Sequence, residues 1–365
     1  MRLYIFITDL GAGGAERVCV NLANELTNLS HEVHIVTLNL EKDVYSHILD
    51  KRIKVHSLEA SRIRYGILPM VRLLRKEKAE MVLVFGNDMG SVLTKIRALG
   101  LLKCKIVVRV LNNIEITVSE EEKISPFVQK VLKKSQKDMK KMDFVIAQCR
   151  AMEKMLKEKI GLSDTCRFIY NPVSKYLVEN TKPVERAEGE KKKIGFIGRL
   201  DPQKNVEHLI RAFAILCNEK NNVSLHLYGQ GIHEQKAKEM TAELGIADKV
   251  FFEGVRNDME KVYGDLDMVA LSSKYEGMPN ALIEAVAIGI PVVSYDCPIG
   301  PSEIIVEDVN GYLIPMDDVD ALAAGMQRCL NKKWDVKAIR ESAQKFRVET
   351  IAKEYIDVFE KVTGK

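Results

Sequence analysis

At 365 residues with 46% apolar side chains, the chain is long enough to bury two separate cores. Its seven cysteines, Cys19, Cys104, Cys149, Cys166, Cys217, Cys297 and Cys329, are scattered and never spaced C-x-x-C, which argues against a disulfide framework or a cysteine zinc site. The formal charge of +4 is uneven: residues 1–180 carry 30 basic against 21 acidic side chains, leaving 25 against 30 for the rest, so the first half suits an anionic partner.

Nucleic acid is a poor candidate for that partner, because aromatic residues make up 6% of the chain and no recognition motif is present. The N-terminus lacks the charged, apolar and cleavage regions of a leader, and no apolar window reaches about 18 residues. The expected location is the cytoplasm, with peripheral attachment at the inner face of the cell membrane as the other option.

Short apolar or β-branched runs at Leu3–Leu10, His31–Leu38, Met81–Gly86, Lys105–Leu111 and Phe144–Cys149 alternate with stretches of helical periodicity. Such alternation predicts a parallel sheet with crossover helices. From Lys175 to Lys193 the pattern lapses into polar, turn-prone sequence, which is read as a linker. It restarts with strands at Ile194–Gly198, Val223–Tyr228, Lys249–Gly254, Met268–Ser273, Pro291–Asp296 and Gly311–Ile314. The expected organisation is an N-terminal domain over 1–174, a linker over 175–193 and a C-terminal domain over 194–365. The tail has apolar residues at Ile339, Phe346, Ile351, Tyr355 and Phe359, near helical spacing, and is expected to pack back across both domains.

Three turns carry residues suited to chemistry. Gly11-Ala12-Gly13-Gly14 joins the first strand to a helix, where glycines and a helix N-terminus admit a phosphate or a sugar; a tight turn is the plain alternative. Gly198-Arg199-Leu200-Asp201-Pro202-Gln203-Lys204-Asn205 follows another strand, and its two cations either reach a diphosphate or stay solvated. In Ser272-Ser273-Lys274-Tyr275-Glu276-Gly277-Met278-Pro279-Asn280, a strand leads through a turn into a helix, with Pro279 expected near its first position. Glu276 and Glu284 stand eight residues apart across that turn, and the amides at the helix start can hold a phosphate. A capping carboxylate with an exposed helical glutamate is the competing reading.

Taken together, Gly-Gly-Ala-Glu-Arg at 13–17, Gly-Arg-Leu-x-x-x-Lys-Asn at 198–205, Tyr-Gly-x-Gly at 228–231 and the E-x7-E element from Glu276 to Glu284 give the chain a resemblance to the retaining GT-B glycosyltransferases of family 4. Gly289-Ile290-Pro291-Val292-Val293 and Asn310-Gly311-Tyr312-Leu313 extend it to nearly the whole length. The resemblance implies an α/β GT-B fold of two Rossmann-like α/β/α domains facing each other across a cleft. It also implies transfer of a hexose or N-acetylhexosamine from a nucleotide diphosphate sugar, with UDP as the expected nucleotide. The acceptor would be a hydroxyl of a glycan or lipid-linked molecule in cell-surface polysaccharide synthesis.

The same resemblance gives roles to single residues. Arg199 and Lys204 would bind the donor diphosphate, helped by amides near Gly277, Met278 and Asn280, by Gly229 and by the Gly13-Gly14 loop. Glu276 would contact the transferred sugar, and Glu284 the ribose hydroxyls. Many relatives carry a histidine just after the fifth N-domain strand. Here Leu111 and Asn112 stand there, and Asn112 is the residue able to hydrogen-bond the sugar.

Asp265-Leu266-Asp267 invites a metal reading but precedes a strand, away from the ligand-binding end of the sheet, so no metal and no cofactor are expected. The run Asp296–Glu303 either lines the sugar pocket or forms a rigid turn. Lys123–Met142 has an apolar side and a lysine-rich side, read either as a core helix or as a surface for anionic lipid, and a second basic stretch runs from Arg62 to Lys78. The alternative enzyme is a UDP-sugar epimerase of the double-Rossmann type, which would act without an acceptor.

Overall fold

A computed structural model describes residues 1–111, 137–187, 189–219 and 222–365. It divides into two compact units, one formed by Met1–Pro172 with Val348–Lys365 and the other by Val173–Arg347.

In the first unit the described strands are β1 (Arg2–Phe6), β2 (Glu32–Thr37), β3 (Lys54–Ser57), β4 (Met81–Phe85), β5 (Lys105–Arg109), β6 (Phe144–Ala147) and β7 (Cys166–Phe168). All pair in parallel in the order β3-β2-β1-β4-β5-β6-β7. Strands such as Met81-Val82-Leu83-Val84-Phe85 are apolar throughout because both faces are covered by helices. Those helices include α1 (Gly14–Asn28), α2 (Ile63–Lys76), α3 (Asn87–Ala98) and α4 (Arg150–Met155).

The C-terminal helix, Val348–Thr363, packs on α1 and so belongs to this first unit. It is tied to the sheet by Arg109, a guanidinium only 1% exposed. Arg109 donates to the Tyr355 hydroxyl, the Asn171 side-chain oxygen and the Ile169 carbonyl, between the Phe85 and Tyr355 rings. A buried cation is tolerated when its donors are satisfied in this way.

The second unit begins with α5 (Lys175–Asn180), capped by the Ser174 hydroxyl, within the stretch expected to be linker. Its sheet comprises β8 (Lys192–Ile197), β9 (Val223–Tyr228), β10 (Val250–Gly254), β11 (Met268–Leu271), β12 (Val292–Tyr295) and β13 (Gly311–Ile314). The parallel order is β10-β9-β8-β11-β12-β13. Its helices are α6 (Val206–Glu219), α7 (Glu234–Glu243), α8 (Met259–Gly264), α9 (Asn280–Ile288), α10 (Pro301–Ile304), α11 (Val319–Asn331) and α12 (Val336–Ser342).

Strand order reverses between β1 and β4 in one unit and between β8 and β11 in the other. Such reversals open a crevice at the carboxyl ends of the strands, where open α/β sheets bind ligands. The loops after β8 and β11 are the second and third turns singled out in the sequence. All seven cysteines are buried and unbridged.

Candidate functional site

In the second unit, the loop after β8 and the loop after β9 lie back to back. Gly198 N–H donates to the Tyr228 carbonyl at 2.9 Å, and Leu200 N–H to that of Gln230 at 3.0 Å. Gly229 has φ +136°, and a Cβ there would stand 1.9 Å from the Gly198 carbonyl oxygen. Only glycine permits both the conformation and the approach.

The β8 loop is also stitched to the segment after β11. The Ser272 hydroxyl donates to the Asn205 carbonyl at 2.9 Å, Lys274 N–H to the Gln203 carbonyl at 2.9 Å, and the Gln203 amide to the Tyr275 carbonyl at 3.0 Å. Asn205 takes the left-handed conformation at φ +49°, which turns the chain from this loop into α6.

These bonds bring Lys204 and Glu276 together. Nζ lies 2.6 Å from Oε1, with the side chains 14% and 6% exposed. Burial makes pairing obligatory for both charges. Arg199 is different: its side chain is 70% exposed, and it reaches Asp201 at 3.1 Å and the Gln203 amide oxygen at 3.0 Å.

Glu284 lies on the second turn of α9, buried, and its Oε2 accepts from the Tyr263 hydroxyl of α8 at 2.7 Å. Pro279 precedes the helix instead of occupying its first position, because its carbonyl accepts from Leu282 and Ile283. The turn before it carries Gly277 and Met278 and is braced by Gly300, where a Cβ would meet Pro279 at 2.9 Å and the Gly277 carbonyl at 3.0 Å. Cys297, on the Asp296–Glu303 run, is buried, and burial together with the Glu276 charge pushes its thiol up to about 12.

The acidic pair at 265 and 267 is a helix-to-strand turn whose carboxylates are engaged. Arg186 bonds Asp265 at 3.0 Å and Asp267 at 2.7 Å, and Lys193 pairs with Asp265 as well. Burial alone would raise the Asp265 carboxyl, but the Lys193 and Arg186 charges outweigh it and hold the group below its ordinary value.

In the first unit the glycine loop carries a feature that motif reading did not supply. Glu16 folds back over Gly13, where a Cβ would stand 2.0 Å from its Oε2. Burial, with Asp9 nearby, raises this carboxyl. Gly14 opens α1. Leu111 is held by Gln148, whose amide donates to its carbonyl at 2.5 Å, whereas Asn112 lies outside the described residues. Gln203 and Ser272 lie within the two turns singled out in the sequence, but their supporting role, like that of Tyr263, was not identified there because each acts on a residue distant in the chain.

The chain's similarities to known proteins agree with this geometry. Residues 12–175 match the model of Glycosyltransferase Family 4, and residues 178–346 that of Glycosyl transferases group 1. A Campylobacter jejuni N-acetylgalactosamine-N,N'-diacetylbacillosaminyl-diphospho-undecaprenol 4-alpha-N-acetylgalactosaminyltransferase is 27% identical over 94% of both chains. The Escherichia coli lipopolysaccharide 1,6-galactosyltransferase is 32% identical over 52% of each.

Among solved structures, the apo lipopolysaccharide outer core galactosyltransferase WaaB matches with TM-score 0.75 and 21% identity over 99% of both chains. Anabaena HepE, in complex with UDP and glucose, matches with TM-score 0.79 and 19% identity over 99% of this chain and 100% of its own. Neither relative is an epimerase, and the two parallel α/β units are those of the GT-B fold. With consecutive family models spanning nearly its whole length, the chain belongs to the GT-B glycosyltransferases of family 4, enzymes that transfer a hexosyl group to glycan or lipid-linked acceptors.

Proposed function

We propose that the protein transfers a hexose or N-acetylhexosamine from a UDP-linked donor, with retention of anomeric configuration and without a metal ion, to a polyprenyl-diphosphate-linked glycan or a lipopolysaccharide core. The observation that carries this reading is the cluster at the reversal point of the second sheet, where Arg199, Lys204, Glu276 and the α9 N-terminus converge.

Arg199 and Lys204 supply positive charge, and the backbone amides around Gly277, Met278 and Asn280 supply donors, for a leaving diphosphate whose charge grows in the transition state. Glu276 orients the transferred sugar, and Glu284, steadied by Tyr263, accepts from the ribose. Asp265 and Asp267 are committed to Arg186 and Lys193, so a cation would have to displace two basic side chains to use them. UDP is favoured by the likeness to HepE, and a lipid-diphosphate acceptor by the Campylobacter relative. The basic N-terminal half fits an anionic membrane surface at which such an acceptor is presented.

Thermal-shift screening against UDP-, GDP- and ADP-sugars tests the donor, because a ligand at 100 times its dissociation constant adds about 2.7 kcal/mol of apparent stability. Stabilisation by UDP-sugars alone is expected. An inverted product by NMR, or activity abolished by EDTA and restored by manganese, would overturn the mechanism.

A further inference from the structure

Asn205 is the weak point of the turn that carries Lys204. Its left-handed backbone, φ +49°, is disfavoured for a residue with a Cβ and persists only where neighbouring contacts hold it. One such contact is the Ser272 hydroxyl, which donates to the Asn205 carbonyl at 2.9 Å. The same carbonyl accepts from the His208 N–H at 3.0 Å, so the first turn of α6 and the segment after β11 meet on one oxygen.

The His208 side chain adds an attachment to β12. Its Nδ1 lies 3.2 Å from the Tyr295 hydroxyl, and the two rings cross edge-on with centroids 6.0 Å apart. Tyr295 is fully buried, and His208 is its hydroxyl's one hydrogen-bond partner among the described residues. Burial, with Asp317 and Asp318 nearby, pushes that hydroxyl up to about 12, so it stays un-ionised at neutral pH. Asp317, 3.7 Å from the same Nδ1, is beyond hydrogen-bond reach. Strand β12 makes a firm anchor, since all four of its residues are buried and it is paired on both sides, to β11 and to β13.

We propose that His208 is a positioning residue for the donor diphosphate: by fastening α6 to Tyr295 it keeps Asn205 in the left-handed turn and Lys204 aimed into the site. The inference rests on the reading of the 198–205 loop as the holder of the diphosphate, and adds the residue that keeps this loop in its binding form. Without the anchor fewer molecules hold the turn at any moment, and apparent affinity for a diphosphate falls in proportion to that fraction.

The test uses the full chain with His208→Phe, which retains a ring but no Nδ1, and with Tyr295→Phe, which removes the hydroxyl. Binding of UDP and, separately, of inorganic pyrophosphate is measured by isothermal titration calorimetry. Each substitution should weaken both ligands about threefold to tenfold, the weight of one neutral hydrogen bond. The double variant should lose no more than either single one, because both remove the same bond. Asn205→Gly supplies the decisive background, since glycine takes φ +49° without strain. There His208→Phe should weaken binding by less than about twofold, because the turn no longer depends on the anchor.

Wild-type affinity in His208→Phe, or an undiminished loss in the Asn205→Gly background, would overturn the proposal and leave His208 a packing residue. If His208→Phe melts below the titration temperature, Tyr295→Phe carries the same two comparisons. A wild type that binds pyrophosphate but not UDP would sink the donor assignment alone, whereas one that binds neither would remove the diphosphate reading and this inference with it.

Discussion

Lys204 and Glu276 neutralise each other before any donor arrives, so a diphosphate approaching Lys204 competes with a carboxylate 2.6 Å away. Glu276→Ala should then act in two directions. Loss of the sugar contact should lower kcat about a hundredfold or more, while UDP should bind at least as tightly, because Lys204 would then lack its partner. The ligand-free variant should lose about 3–5 kcal/mol of stability, the usual cost of an uncompensated buried charge, and UDP should restore part of it. Calorimetry showing tenfold weaker UDP binding would mean that Glu276 supports the nucleotide itself. Tyr263→Phe should raise the donor KM about tenfold with kcat little changed, since a hydrogen bond to a carboxylate is worth about 1.5–3 kcal/mol; a fall in kcat alone would place Tyr263 elsewhere in the reaction. Glu16, raised by burial, favours its protonated form in the folded state. The stability it lends is present below its unfolded value of 4.5 and lost as pH rises through the folded one. Glu16→Gln should therefore melt higher than wild type at pH 7 and alike at pH 4, and the reverse order would show that the carboxylate is stabilised as an anion. Spacing offered Arg199, Lys204, Glu276 and Glu284 as candidates, each at a fixed offset from a glycine or helix start, and the family resemblance supplied their roles. The Lys204–Glu276 and Glu284–Tyr263 pairs were not, since their members lie 72 and 21 residues apart and only the fold makes them neighbours.

At the level of elements, the back-to-back loops after β8 and β9 depend on Gly229. Gly229→Ala combines a positive φ with a 1.9 Å approach to backbone, and should cost at least about 2 kcal/mol in chemical denaturation. A variant of native stability would mean that the loops can separate without loss. The long central strands announced themselves as continuous apolar runs, a consequence of burial on both faces. Two strands gave no such signal: β3, Lys54-Val55-His56-Ser57, and β7, Cys166-Arg167-Phe168, lie at opposite edges of the sheet and are half polar. An edge strand needs few apolar residues, and its identity comes from the neighbour that it pairs with. The polar stretch 175–193 likewise conceals α5 and the start of β8, because a short surface helix capped by Ser174 needs little hydrophobic surface.

Across the whole molecule, the C-terminal helix is chemically part of the first unit although it is last in sequence. Truncation after Phe346 should therefore unfold the first unit while Trp334 fluorescence, which reports the second, keeps its native emission and melting midpoint. A lowered midpoint for Trp334 would show that the helix stabilises the second unit too. Arg109→Leu should weaken the same attachment by about 2–4 kcal/mol, since it leaves Tyr355 and Asn171 buried without their shared donor. The chain's double passage, out after Pro172 and back at Val348, also sets a schedule for biogenesis. Residues 173–347 are complete, and their sheet can close, before the last helix has left the ribosome. The unit that begins first is thus finished after the second, because the side of α1 that this helix covers stays open until residues 348–363 have emerged.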